Sequence, residues 1–462
     1  MTRHSILFSA ALLAAAIAVE ISPAQSLAPA PPMGWNSWDA YGFTIDEAQV
    51  KANAAVLAPI QQFGWKYVVV DEGWYMANPN GGNLAERKYL WNANGLLVPD
   101  VARYPDAANG AGFRPLADWL HAQGLKFGIH IVRGIPRQVV EANLPIAGSS
   151  FHARDAADTT ATCPWDDGNY GIADNAAGQA YYNSMLRLYA SWGVDFLKVD
   201  CIADRPYRAS EILQIAAAIR KTSRPIVLSL SPGPAALEHA TEFQQSAQMW
   251  RISNDHWDGW TFPHQPGDDG FPSGIREAFD LLASWYTYTG PDSWPDADML
   301  PEGWLGPHPG WGQPRQSRET PDEQRTEFAL WAIARSPLIL GGNLTRLDAL
   351  TRSLIVNQDL LFMNQNVTYS RPVDTSTLGP EFANARVWRA TINDPGARGY
   401  AEYFGFFNLD AGPVTLKTTW KALGLDGAKH SAQSAWDDSV TKDSKEISVT
   451  LPAHGSAVFQ VR

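Results

Sequence analysis

Val194-Asp195-Phe196-Leu197-Lys198-Val199-Asp200 is a short apolar run that stops on a carboxylate. It is too short for a helix with a buried face and reads as a strand covered on both sides. Runs of the same kind recur at Lys66 to Trp74, Lys126 to Val132, Pro225 to Ser231, Gln248 to Ser253 and Pro337 to Gly341, with shorter ones at Met33 to Trp35 and around Trp294. Between them lie windows whose apolar residues recur at three and four: Ile45 to Phe63, Gly112 to Gln123, Gly178 to Trp192, Ala209 to Lys221, Ile275 to Tyr286 and Thr320 to Ala334. Strands that alternate with amphipathic helices build a parallel sheet, and eight such strands predict a closed (β/α)8 TIM barrel of the α/β class.

In a barrel of this kind the carboxyl ends of the strands carry the chemistry, so polar residues that close separate strands become candidates. Asp71 and Glu72 close the second strand, His130 the third, Lys198 and Asp200 the fourth, Ser231 the fifth, Arg251 and Asp255 the sixth, and Asp296 and Asp298 the seventh. Gly341 and Gly342 read as a tight turn, because a phosphate cradle would continue into Lys-Ser or Lys-Thr. The loop with Asn78, Pro79, Asn80, Gly81 and Gly82 is expected at the mouth of the site.

Beyond residue 370 the pattern changes to short alternating runs with frequent turn residues. Val387 to Thr391, Tyr400 to Asn408, Val414 to Thr419, Ser434 to Asp437, Glu446 to Thr450 and Ser456 to Val461 predict an antiparallel β-sandwich packed directly on the barrel. At the other end, Arg3 and His4, the apolar stretch Ile6 to Val19 and the small residues Ser22, Ala24, Ser26 and Ala28 read as a secretory signal. The expected division is signal peptide 1–26, catalytic barrel 27–370 and C-terminal sandwich 371–462, with export to the periplasm or medium and no membrane attachment after cleavage.

A formal net charge of −12 with no cluster of Lys and Arg argues against nucleic acid or an anionic membrane as partner, since both need a basic surface. A neutral oligo- or polysaccharide fits better. The 19 tryptophans supply flat apolar faces of the kind on which pyranose C–H surfaces stack, although most are expected in the core. Cys163 and Cys201 can form at most one disulfide, and closing that loop would contribute about 3 to 4 kcal/mol in the chain-entropy model. No His or Cys pair has metal-ligand spacing, so neither a metal nor another cofactor is expected.

Five segments carry a resemblance to a known family: 31–38 (Pro-Pro-Met-Gly-Trp-Asn-Ser-Trp), 197–201 (Leu-Lys-Val-Asp-Cys), 250–255 (Trp-Arg-Ile-Ser-Asn-Asp), 294–300 (Trp-Pro-Asp-Ala-Asp-Met-Leu) and 330–338 (Leu-Trp-Ala-Ile-Ala-Arg-Ser-Pro-Leu). In this order the chain resembles glycoside hydrolase family 27, the melibiase or α-galactosidase family of clan D, from Pro31 to its end. The resemblance implies a barrel followed by an antiparallel β domain and hydrolysis of a terminal α-D-galactosyl residue. It implies Asp200 as nucleophile, Asp255 as general acid/base, Arg251 at the 2-hydroxyl, Lys198 at ring hydroxyls, Trp38 as an aromatic wall, and Asp71 with Glu72 at the 4- and 6-hydroxyls. His130 and Ser231 complete the expected sugar contacts, and Cys163 is expected to pair with Cys201.

Retaining hydrolysis needs two carboxyl groups about 5 to 5.5 Å apart, one to attack the anomeric carbon and one to protonate the departing oxygen. Lys198, two residues before Asp200 and on the same strand face, is expected to keep it ionised. Asp255 must start protonated, a state favoured by neighbouring carboxylates and by Trp250, Trp257 or Trp260. Asp258 is near enough in sequence to be mistaken for it.

Three positions depart from the family pattern. Glu72 stands where α-galactosidases usually have a second Asp, His130 replaces a usual Tyr, and Ser231-Pro232-Gly233 lacks the Glu used near the 2-hydroxyl. The longer Glu72 is expected to crowd the 6-position and favour a β-L-arabinopyranoside, which has galactose ring configuration without the hydroxymethyl arm. An α-N-acetylgalactosaminide or an isomaltodextran are other substrates found in the family. A non-catalytic carbohydrate-binding protein and a transglycosylase are the alternatives of other kinds.

Overall fold

The computed structural model describes residues 26–80, 86–265, 270–307, 312–392 and 402–462. The expected signal segment, except for Ser26, lies outside these residues, as do Gly81, Gly82 and Tyr400. No helix among the described residues is long and apolar enough to cross a membrane.

Eight parallel strands form the first domain: β1 (Met33–Asn36), β2 (Tyr67–Val70), β3 (Lys126–Val132), β4 (Phe196–Asp200), β5 (Val227–Leu230), β6 (Met249–Arg251), β7 (Trp294–Asp296) and β8 (Leu338–Leu340). They are laddered in the order β7-β6-β5-β4-β3-β2-β1-β8. The ring closes just past β7, where Leu300 N donates to Ile339 O at 2.8 Å and Gly341 N donates to Leu300 O at 2.9 Å. Every residue of β2 is buried, which explains its unbroken Tyr-Val-Val-Val. Strands covered by helices outside and by the barrel filling inside have no solvent face to mark with polar residues. At Gly34 a Cβ would stand 2.3 Å from the Tyr67 carbonyl oxygen, so the contact between β1 and β2 requires glycine.

A helix follows each strand: α1 (Glu47–Leu57), α2 (Arg114–Ala122), α3 (Ala176–Ser191), α4 (Ala209–Thr222), α5 (Ala240–Ser246), α6 (Ile275–Trp285), α7 (Pro321–Ala334) and α8 (Gln358–Asn366). Their starts are written locally. Asp46 accepts from Gln49 N at 2.8 Å while its own N–H donates to Gln49 Oε1 at 3.1 Å, and Thr320 and Glu323 repeat this reciprocal cap before Pro321. Such a cap contributes about 1 kcal/mol. The sequence reading misses α5 and α8. Neither α5 (Ala-Thr-Glu-Phe-Gln-Gln-Ser) nor α8 (Gln-Asp-Leu-Leu-Phe-Met-Asn-Gln-Asn) is long enough to establish a 3.6-residue period.

Most tryptophans are core, as expected. Trp35, Trp65, Trp74, Trp250, Trp294 and Trp331 are fully buried, and five of the six donate Nε1–H to a backbone carbonyl, for example Trp331 to Asp298 O at 2.9 Å and Trp74 to His130 O at 2.8 Å. Each of these five rings thus buries its apolar area and pins a strand or loop with its polar edge.

The C-terminal domain pairs a six-stranded antiparallel sheet with a two-stranded one. The first has the order β9-β10-β11-β16-β13-β14, from β9 (Tyr369–Val373), β10 (Ala385–Thr391), β11 (Glu402–Asn408), β13 (His430–Ser434), β14 (Val440–Ser444) and β16 (Ser456–Val461); β12 (Val414–Thr419) and β15 (Glu446–Leu451) form the second. The expected strand at Ser434 to Asp437 is replaced by the hairpin of β13 and β14, since β14 is exposed and lacks the apolar alternation that marks a half-buried strand. The domains pack directly: Trp260 stacks on His454 with centroids 3.9 Å apart, His454 Nδ1 lies 2.6 Å from Glu323 Oε1, and Phe279 meets Phe407 edge-on at 5.2 Å.

Candidate active site

Asp200 is the last residue of β4. Its Oδ1 accepts from Cys201 N at 2.6 Å and from Ser231 Oγ at 3.3 Å, and His130 Nε2 stands 3.7 Å from Oδ2. Burial alone would raise its proton affinity. The His130 ring, the Lys198 charge and the Cys201 N–H outweigh that, so the carboxyl is held below the usual range. His130 lies two residues inside β3 rather than at its end, because the strand continues through Val132. Its side chain therefore reaches Asp200 from within the barrel mouth.

Lys198 shares a strand face with Asp200, but its hydrogen bond goes elsewhere. Nζ donates to Asp71 Oδ2 at 3.0 Å, so the expected pairing with Asp200 is only a through-space attraction. Asn36 Nδ2 reaches the same Asp71 oxygen at 2.7 Å, and Glu72 N donates to Oδ1 at 2.8 Å. These donors, with the charges of His130 and Lys198, overcome burial and hold Asp71 well below the ordinary carboxylate range. Asp71 and Glu72 lie past the end of β2, which is shorter than its apolar run.

Glu72 is in the opposite condition. Burial, then repulsion by Asp166, Asp200 and Asp71, drives its proton affinity well up, against the pull of Arg87. Arg87 Nη1 bridges Glu72 Oε1 at 3.3 Å and Asp166 Oδ2 at 2.7 Å, and its guanidinium lies over the Phe43 ring. Asp166 comes from the segment fastened by the expected disulfide, which is present between Cys163 and Cys201 with Cα atoms 6.0 Å apart. The disulfide anchors that wall to the residue next to Asp200.

Asp255 lies four residues beyond Arg251, the end of β6. Arg251 Nη2 stands 2.9 Å from both Asp255 Oδ1 and Asp298 Oδ2. The Asp255 side chain is 36% exposed, whereas Asp258 is fully enclosed and gripped by Arg315 and Arg318, which separates the two neighbours. Of the three tryptophans expected near Asp255, Trp257 lines the cavity, Trp250 is core against Phe243 and Trp285, and Trp260 holds the C-terminal domain.

A cavity of about 420 Å³ collects Trp38, Asp71, Glu72, His130, Lys198, Asp200, Ser231, Arg251 and Asp255. All nine expected site residues therefore face one space. Among the further lining residues, Asp39, Arg87, Trp165, Asp166, Asn254 and Phe271 escape the strand-end test, whereas the strand-end candidate Asp298 lines the cavity as well. Asp39 directly follows Trp38 and could have been read with it. Its room comes from Gly341, where a Cβ would stand 1.7 Å from Asp39 Oδ2, so this glycine serves the site wall. Trp165 and Phe271 are 39% and 42% exposed and stand in long loops that no periodicity locates. Asp296 is buried, and its carboxyl is raised to about 7 by burial and by Asp298; it does not line the cavity.

Known proteins resemble the chain over both domains. Residues 163–366 match the family model of alpha galactosidase A, and residues 384–461 match that of the alpha galactosidase C-terminal beta sandwich domain. An alpha-galactosidase A of Cellvibrio japonicus is 28% identical over 74% of this chain and 69% of its own length, and an alpha-galactosidase of Cyamopsis tetragonoloba is 26% identical over 94% and 87%. A GH27 β-L-arabinopyranosidase of Geobacillus stearothermophilus superimposes with a TM-score of 0.84 at 40% identity, covering 94% of this chain and 97% of that one. Likeness at that level from barrel to sandwich means that the chain belongs to glycoside hydrolase family 27 and is a glycoside hydrolase.

Proposed function

We propose that the enzyme is a retaining exo-glycosidase for terminal pyranosides of galacto configuration, and that the β-L-arabinopyranoside is preferred over the α-D-galactoside. Asp200 attacks the anomeric carbon as the bond to the leaving oxygen breaks, and Asp255 in its acid form gives that oxygen a proton. Water then displaces Asp200 from the glycosyl-enzyme while Asp255 takes a proton back, which returns both groups to their starting forms. Lys198, Asp71 and Arg251 offer fixed charges to the ring hydroxyls, and Trp38 offers an apolar wall. Asp71 and Glu72 are assigned to the 4-hydroxyl and the 6-position. Trp165 and Phe271, exposed at the mouth, are assigned to the leaving group.

The observation that carries the sugar preference is the clamp on Glu72. Its carboxylate is tied to Arg87, which is tied to Asp166, so a side chain one methylene longer than Asp has little freedom to withdraw from a hydroxymethyl arm. The 40% identity to an arabinopyranosidase supports the same choice. α-Galactosidase activity is the second reading, favoured by the curated relatives named above, and the wild type is expected to retain some of it.

The deciding measurement is kcat/KM for nitrophenyl β-L-arabinopyranoside and α-D-galactoside, for the wild type and Glu72→Asp. The wild type should favour the arabinoside, and the variant should move the ratio toward galactose by about 10-fold or more, the worth of one or two methylenes in a pocket. An unchanged ratio in Glu72→Asp rules out crowding as its cause. Equal or better turnover of an N-acetylgalactosaminide would replace the reading altogether.

A further inference from the structure

Behind the loop that carries Asp255 is a second group of polar side chains that the proposed chemistry does not use. His256 follows Asp255, Glu319 immediately precedes the cap of α7, and Glu327 lies on α7. Each offers a ligand atom within 4.8 Å of those of the other two, and all three residues are buried. Nothing in the spacing of these residues, 63 and 8 positions apart in the sequence, resembles a linear metal motif, so the sequence gives no hint of the cluster.

The group is short of positive charge and of donors. Glu319 is only 4% exposed, and neither of its carboxylate oxygens accepts a hydrogen bond from an N–H or hydroxyl of the described residues; the same holds for Glu327 Oε2 and for both oxygens of the buried Glu302 close by. His256 Nε2 faces Glu327 Oε1, while its Nδ1 has no partner among the described residues. Arg315 and Arg318, just before Glu319 in sequence, are committed to Asp258, and Arg251 to Asp255 and Asp298. Several carboxylates in a dry space without a countercharge are costly unless something neutralises them.

We propose that His256, Glu319 and Glu327 hold one divalent metal ion of the manganese or zinc type, with Glu302 as a further neighbour. Two carboxylates and an imidazole suit these ions, whereas calcium and magnesium prefer all-oxygen shells. Bonds of about 2.0 to 2.2 Å place ligand atoms at most about 4.4 Å apart, so a contraction of a few tenths of an ångström completes the site. The ion ties the loop after β6 to the start of α7. Since His256 N also donates to Asp298 Oδ2 at 2.8 Å, and Asp298 shares Arg251 with Asp255, the site holds the acid/base loop in place. It is a positioning site: His256 borders the sugar cavity, while Glu319 and Glu327 do not line it.

The test is the metal content of the full-length enzyme, purified and then incubated with Mn²⁺ or Zn²⁺, by mass spectrometry after gel filtration. Wild type and the exposed-site control Glu446→Gln should retain about one ion per chain, and Glu319→Gln should bind at least about 10-fold more weakly, a cost that even an outer-shell change carries. The melting temperature of the wild type should rise with added metal and that of Glu319→Gln should not. A wild type that retains no ion and whose melting is indifferent to both metals overturns the proposal and leaves shared protons as the neutralising agent. That result needs no variant to fold, and it leaves the sugar reading untouched.

Discussion

The carboxylates on the cavity wall and those packed behind it are built from the same residue types at the same end of the barrel, yet their surroundings differ. On the wall, Asp71 has Lys198 and Asn36, Asp200 has His130, Ser231 and a backbone N–H, and Asp255 has Arg251, while Glu72, held by Arg87 at 3.3 Å, already has its proton affinity driven up. Behind it, Glu302 and Glu319 accept no hydrogen bond from an N–H or hydroxyl of the described residues, and burial followed by repulsion from neighbouring carboxylates, Glu327 for Glu302 and Glu319 and Asp258 for Glu327, drives the proton affinities of all three well up. Provision of donors separates an acid that can act as a charge from one that cannot carry its charge unaided. Asp200 and Asp71 are of the first kind, and this suits a nucleophile and a hydroxyl acceptor.

The largest expected effect of breaking this arrangement is at Asp200. Asp200→Ala should lower kcat by about 10⁴-fold or more while the chain stays folded, because a buried carboxylate and not a packing group is removed. Azide should restore turnover and give a product of inverted configuration. Asp255→Ala should cost about 10² to 10⁴ on poor leaving groups and far less on nitrophenolates, which depart without a proton. If Asp200→Ala keeps near-normal kcat, the nucleophile lies elsewhere and the contrast between the two groups of acids loses its functional meaning.

Next comes the cation that balances the wall. Lys198→Met leaves Asp71 buried without its 3.0 Å partner, and breaking one side of a buried pair costs about 3 to 5 kcal/mol. Urea unfolding of the variant should show that loss near neutral pH, together with weaker substrate binding. A variant as stable as the wild type would mean that Asn36 and the Glu72 N–H suffice for Asp71.

A subtler change separates the acids by pH. His130 lowers the proton affinity of Asp200, which as the proposed nucleophile works only when ionised. His130→Phe should therefore move the acid limb of kcat/KM to higher pH while leaving the alkaline limb in place. An unmoved acid limb would assign the ionisation of Asp200 to Lys198 and the Cys201 N–H instead.

The strand-end reading found eight of the nine expected cavity residues because each lies on, or within a few positions beyond, a parallel strand, where the apolar period itself gives the address; Trp38 came only from the family resemblance. It missed Arg87, Trp165 and Phe271 for the opposite reason: they stand in loops brought to the mouth by tertiary contacts such as the Cys163–Cys201 bond and the Arg87–Asp166 pair. It rightly expected the charge of Lys198 to keep Asp200 ionised, but not that its hydrogen bond goes to Asp71. Residues two apart on one strand share a face, but the hydrogen bond went across the barrel mouth to Asp71, just past the end of β2, whose Oδ2 it shares with Asn36. The back cluster was illegible because its members come from a loop, a cap and a helix, with no common period.

Asp296 stands between the two groups and gives the smallest effect. Its carboxyl, raised to about 7 by burial and by Asp298, is protonated in the folded chain at pH values where an unfolded Asp, near 3.9, is already ionised. Between those limits the unfolded state binds fewer protons than the native one, so this residue's contribution to stability is intact below about pH 4 and is lost progressively up to about pH 7. Asn cannot ionise, and its Oδ1 can still accept from Asp298 N, which lies 3.0 Å from the present oxygen. Asp296→Asn should therefore match the wild type most closely near pH 4 and gain on it by a few degrees in Tm by pH 8, the size of a shift of about 1 kcal/mol or more in a chain of this length. A difference in Tm that does not grow with pH would mean that Asp296 is ionised throughout, balanced by Arg251, and belongs with the acids of the wall.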